Sequence, residues 1–130
     1  MQTFLPYPDF KKSLQTLDYR RLGKQRVEAY QILRAIKFGG GYNRHPVVRM
    51  WRGYINALKH YYNLAIDEWV KRGYRNNMHK MKISGKIAYP WWFGRDEFHA
   101  AHRSNLLRKD YCCYSQYGWS EPPDLPYFWK

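Results

Sequence analysis

The chain has 130 residues, enough for one hydrophobic core and too few for two, so a single domain over 1–130 is expected. Lys and Arg number 23 against 10 Asp and Glu, a formal net charge of +13, and such an excess suits a polyanionic partner: DNA, RNA or an anionic membrane surface. No apolar run approaches the roughly 20 residues of a spanning helix, and Met1 to Phe10 lacks a signal-peptide layout, which argues against the membrane and for a cytoplasmic protein.

In chain order, Pro6 and Pro8 keep the N-terminus out of helix, and Asp9 caps a short turn through Phe10–Leu14. The first long helix starts at Asp18, a good N-cap residue. Leu22, Ala29, Ile32, Leu33 and Ile36 recur at helical spacing until Gly39-Gly40-Gly41 stops it. Arg20, Arg21, Lys24 and Arg26 load its early turns with cations, the wrong sign for a helix N-terminus. A second helix opens on Pro46 and runs through Val47, Trp51, Tyr54, Leu58, Tyr61 and Ala65 to Gly73, with Gly53 as its weak point. Residues Asn76 to Tyr89 read as a long loop with a short hairpin. A third helix follows Gly94, with Asp96 and Glu97 in its first turn and Arg108 and Lys109 in its last. Asp110 to Lys130 is an aromatic and proline-rich tail with little helix potential, expected to wrap over the helices by its rings. The class is mainly α: a compact domain of three principal helices with long loops and an aromatic C-terminal tail.

Two constellations bear on chemistry. His99, His102, Cys112 and Cys113 are four soft ligands in one stretch, but their spacing matches no familiar zinc module, so no metal is expected. The adjacent cysteines are unsuited to a mutual disulfide and read as free thiols. Glu28 is the only acid between Asp18 and Asp67, and it shares a helix face with Arg21 and Lys24. An ordinary helical salt bridge explains it on composition alone. An acid on a phosphate-binding face repels the ligand, however, which invites a catalytic role. Aromatic residues make up 19% of the chain, more than the core demands, and the surplus suits stacking on unpaired bases.

The segment Leu17-Asp18-Tyr19-Arg20-Arg21-Leu22, followed after five residues by Glu28-Ala29, resembles the first helix of the pyrimidine-dimer DNA glycosylase/AP lyase family of phage and bacteria. Gly41-Tyr42-Asn43-Arg44-His45-Pro46 is similar to a Gly-Tyr-x-x-His-Pro element of its bacterial members, and Lys71-Arg72-Gly73-Tyr74 to the end of the following helix. His102-Arg103-Ser104-Asn105-Leu106 and Tyr117-Gly118-Trp119 match more loosely. The resemblance implies a three-helix fold with the N-terminus pinned between helices. It also implies a glycosylase that attacks C1′ of the damaged nucleotide with its N-terminal α-amine, assisted by a glutamate that falls on Glu28. Phage members expose a threonine amine after methionine removal; Gln2 is too bulky for the usual excision, so either the amine is that of Met1, or processing differs, or catalysis is impaired.

A free α-amine is a weaker base than a lysine side chain, so more of it is neutral and nucleophilic near neutral pH. Candidates for DNA contact are Arg20, Arg21, Lys24, Arg26, His45, Arg49, Arg52, His102, Arg103, Asn105, Arg108 and Lys109. The expected partner is double-stranded DNA with a damaged or modified pyrimidine, bound by a monomer without metal or organic cofactor. Two alternatives stand beside this reading: a noncatalytic DNA- or RNA-binding protein on the same scaffold, and a glycosylase without lyase activity that uses Glu28 to activate water.

Overall fold

The structure is a computed structural model and describes residues 1–41 and 43–129. Tyr42, part of the Gly-Tyr-x-x-His-Pro element, lies outside them. The described residues are helical and contain no β-strand: α1 (Phe10–Thr16), α2 (Tyr19–Phe38), α3 (Pro46–Trp51), α4 (Ile55–Lys71), α5 (Asp96–Lys109), α6 (Tyr111–Tyr114) and a 3₁₀ turn (Ser115–Tyr117). None of these helices is long and apolar enough to cross a membrane.

Caps set the boundaries that the sequence marks. Asp9 accepts from the Lys12 N–H to start α1, Asp18 from the Arg21 N–H to start α2, and Gly39 (φ +76°) closes α2. The long central helix expected from Pro46 to Gly73 is in fact two. Gly53 takes φ +86°, a left-handed conformation open to glycine, and the chain turns there between α3 and α4. The apolar spacing hides this break, because Trp51 on α3 and Leu58 on α4 both face the core.

The largest helix interface is α2 against α4, with α1 on α4 and α3 on α2. Gly23 lets it close tightly: a Cβ at that position would come 3.0 Å from the Trp69 ring.

The hairpin expected within Asn76–Tyr89 does not form. That segment instead lies along α4, whose polar side chains satisfy its backbone. Asn63 brackets Met81 with two hydrogen bonds of 2.8 Å, Tyr62 donates to the His79 carbonyl at 2.7 Å, and Asn56 donates to those of Ser84 and Lys86.

The tail departs from expectation by forming a short helix, α6, because Asp110 accepts from the Cys113 N–H as its N-cap. Its rings do cover the helices. Trp119 stacks on Tyr114 and Tyr117 and donates to the Tyr7 hydroxyl, while the Tyr117 hydroxyl donates to the Thr16 carbonyl. Both cysteines are free.

Candidate active site

Residues 2–6 run without regular structure through the middle of the molecule, enclosed by α2, α3, α4 and α5. Gln2, Thr3, Phe4 and Leu5 are all buried. A buried segment outside any helix or sheet must find side-chain partners for its backbone. Gln25 of α2 accepts from the Phe4 N–H (2.9 Å) and donates to the Gln2 carbonyl (2.9 Å). Tyr61 of α4 reaches the Phe4 carbonyl (3.1 Å), and Trp51 of α3 donates to the Thr3 hydroxyl (3.1 Å). From α5, His102 Nδ1 accepts from the Leu5 N–H (3.0 Å), His99 Nδ1 donates to the Leu5 carbonyl (2.7 Å), and Arg103 donates to the Pro6 carbonyl (2.8 Å). The chain's first residue is thereby held in one place, as the pinned N-terminus expected from the resemblance requires.

That place is a cleft of about 550 Å³. Met1 lines it together with Glu28, and so do Arg20, Arg21, Lys24, His45 and Lys109, drawn from three separate parts of the sequence. Phe4, Tyr127 and Trp129 give it an aromatic wall. The Gln2 N–H points to Glu28 Oε2 at 3.4 Å, and Gln25 Nε2 donates to the same oxygen at 3.2 Å. Glu28 forms no ion pair among the described residues, the Met1 amine included. Arg21 pairs with Asp18 instead (3.1 Å), so the helical salt bridge that would have explained Glu28 structurally is not made.

His45 caps α3: its Nδ1 accepts from the Val47 N–H at 3.1 Å, which leaves the proton of the neutral ring on Nε2. Its ring stands edge-on to Trp129. Burial and then the charge of the N-terminal amine lower its pKa, so the ring favours the neutral form.

Several candidate DNA contacts are placed elsewhere. The guanidinium of Arg26 lies over the Trp69 ring (4.2 Å) and donates to Asn76 (2.7 Å), so it braces the α2–α4 interface. His102 and Asn105 are enclosed, the one holding Leu5 and the other bonded to the Ala101 and Leu125 carbonyls. Arg103 is spent on a two-pronged pair with Glu121 (both 2.9 Å). These side chains make contacts within the fold, and periodicity on α5 did not reveal which of its faces is buried. Arg49, Arg52 and Arg108 are exposed but do not line the cleft. Conversely, Gln25, Tyr127 and Trp129 were not singled out in the sequence, and Gln2 only for its bulk beside Met1. The only signal for Gln25 was its position three residues before Glu28, on the same helix face.

His99 and His102 are occupied by the Leu5 backbone, and no group of three or more metal-ligating side chains occurs among the described residues. Burial, reinforced by neighbouring His99, pushes the His102 pKa down to about 3. Its folded value lies below the ordinary 6.5, so the unfolded chain takes up a proton first as the pH falls. The stability gained from a neutral His102 is complete above about pH 6.5 and drains away toward pH 3. Between pH 7 and 5 the loss is about 2 kcal/mol, to be read from urea unfolding at the two pH values. The variant His102→Asn keeps an acceptor for Leu5 without the titration and should flatten this dependence. An unchanged slope in that variant would assign the acid sensitivity to other groups.

Compared with known proteins, residues 1–82 match the family model described as pyrimidine dimer DNA glycosylase. No significant match is found among curated proteins or solved structures. The matched segment is more than half of the chain; it spans α1 to α4 and contains Met1, Glu28 and most of the residues that line the cleft. A helical scaffold brings the N-terminal residue, a carboxylate and a ring of cations to one cleft, and by the match over residues 1–82 the chain belongs to the pyrimidine dimer DNA glycosylases.

Proposed function

We propose that this DNA glycosylase is bifunctional, with an AP-lyase activity carried by the Met1 amine and Glu28, and that it acts on damaged or modified pyrimidines in duplex DNA. The observation that supports this reading is the meeting of Met1 and Glu28 in a cleft otherwise lined by cations. Arg20, Arg21, Lys24 and Lys109 hold phosphates on either side of the lesion, and the aromatic wall receives the extruded nucleotide.

In the first step the neutral amine adds to C1′ and the glycosidic bond breaks, its electron pair leaving with the base, which takes up a proton. The amine nitrogen passes a proton to the Glu28 carboxylate, and its lone pair then opens the sugar ring. O4′ accepts a proton, with Glu28 as the donor, and a protonated imine remains at C1′. The carboxylate of Glu28 next removes a proton from C2′, and the C3′–O bond breaks with release of the 3′ phosphate. Neutral His45, with its Nε2–H free of the cap, is a further hydrogen-bond donor in the cleft.

The imine is reducible, which gives the test. Borohydride added during reaction with an abasic-site duplex should trap a covalent protein–DNA complex, and peptide mass spectrometry should place the adduct on residue 1. An adduct on a lysine moves the nucleophile away from the terminus. On a duplex that carries a damaged pyrimidine, release of the base without any adduct favours the alternative in which Glu28 activates water.

A further inference from the structure

Gln25 is buried on α2, one turn before Glu28, and every hydrogen-bonding position of its amide is used. Oε1 accepts from the Phe4 N–H (2.9 Å) and from the Tyr61 hydroxyl, whose single proton lies between it and the Phe4 carbonyl, while Nε2 donates to the Gln2 carbonyl (2.9 Å) and to Glu28 Oε2 (3.2 Å). The amide cannot be reversed, because that would set donor against the Phe4 N–H and acceptor against the Gln2 carbonyl. Burial raises the Tyr61 pKa, and the charge of Glu28 adds to the effect, so its hydroxyl stays a donor. The other group bonded to Glu28, the Gln2 N–H, reaches the same oxygen, Oε2. Among the described residues Oε1 of Glu28 has no hydrogen-bond partner.

Resting on the bifunctional reading above, we propose that Gln25 is the positioning residue of the reaction: its amide clamps Glu28 through Oε2, leaves Oε1 as the oxygen that gives and takes protons, and holds the N-terminal segment at a fixed distance from it. One side chain thereby sets the spacing between the acid/base and the nucleophile. Misplacing reacting groups by about 1 Å costs on the order of 10²-fold in rate, so a part that ties both to one rigid helix acts on the chemical step. The rival is a purely structural role, in which Gln25 does no more than satisfy the backbone of Gln2 and Phe4.

The variant Gln25→Glu separates the two. It keeps the shape and the acceptor for Phe4 and Tyr61 but loses the donor to Glu28 and Gln2. Thermal melting reports folding, affinity for a duplex carrying an uncleavable tetrahydrofuran abasic analogue reports binding, and single-turnover cleavage of an abasic duplex reports the chemistry. The expected result is a folded protein that binds within a few-fold of wild type and cleaves about 10²-fold more slowly. Tyr61→Phe deletes one oxygen and loosens the amide from its far side. It should slow cleavage about five-fold, the equivalent of one hydrogen bond, and it carries the test if Gln25→Glu does not fold. Wild-type single-turnover rates in the folded variants, or losses confined to affinity or melting temperature, overturn the positioning role and leave the enzyme reading intact. A wild-type protein that neither cleaves nor traps on an abasic duplex overturns the enzyme reading, and the role of Gln25 with it.

Discussion

The substitution Glu28→Gln is expected to slow strand cleavage about 10²- to 10⁴-fold while leaving DNA affinity within a few-fold of wild type. The amide matches the carboxylate in size, and its oxygen can still accept from the Gln2 N–H and from Gln25, the two contacts that orient the side chain. What is lost is the negative charge and the ability to move a proton. Arg20, Arg21, Lys24 and Lys109 share the cleft with Glu28, so removing its charge relieves repulsion of the phosphates, and affinity should be equal or tighter. Single-turnover cleavage and fluorescence anisotropy on an uncleavable duplex measure the two quantities separately. A cleavage rate equal to wild type would remove Glu28 from the mechanism.

The largest effect on stability is expected from Trp51→Ala. Trp51 is fully buried, stands edge-on to Trp92 with ring centroids 5.0 Å apart, and contacts Phe10 and Tyr61. Its indole N–H donates to the Thr3 hydroxyl, so the ring forms part of the wall against which the N-terminal segment rests. Deleting a buried ring of this size costs about 3–5 kcal/mol, a large part of the 5–15 kcal/mol that keeps a typical domain folded. The melting temperature should fall by about 10–20 °C. Trp51→Phe retains most of the volume and should lose less than half as much. A shift of only a degree or two in Trp51→Ala would mean that the surrounding rings collapse into the space and that Trp51 is no keystone.

The parts of this fold legible in the sequence are those governed by local rules. Asp9, Asp18 and Gly39 act on their own neighbours: α1 and α2 begin, and α2 ends, where these residues place them, while α1 runs two residues past the expected Leu14 to Thr16. The class, mainly α, followed from the same spacing rules, and the acid stranded among cations drew attention to Glu28. What remained hidden depends on partners far away in the chain. The break at Gly53 was noted only as a weak point, because the apolar stripe continues across it. His99 and His102 were weighed as metal ligands, and His102 and Arg103 as DNA contacts, yet all three bond the backbone of Leu5 and Pro6, a need that no local pattern announces. Gln25 was passed over for the same reason: a buried polar residue on a helix acquires meaning only from what faces it.

The contacts that hold the N-terminal segment also set the order in which the molecule can form. Leu5 is joined to His102 and Pro6 to Arg103 across a sequence separation of 97 residues. Closing a loop of that length costs about 4 kcal/mol in chain entropy beyond a constant, and that cost falls due before the contacts repay it. The pairing of α2 with α4 needs a far shorter closure and can come first, which places the docking of α5 late in folding. Until α5 is seated, the backbone of Leu5 lacks both of its partners, and the first residues of the chain are held only from α2, α3 and α4. The cleft is therefore finished last, by residues beyond the segment that marks the family.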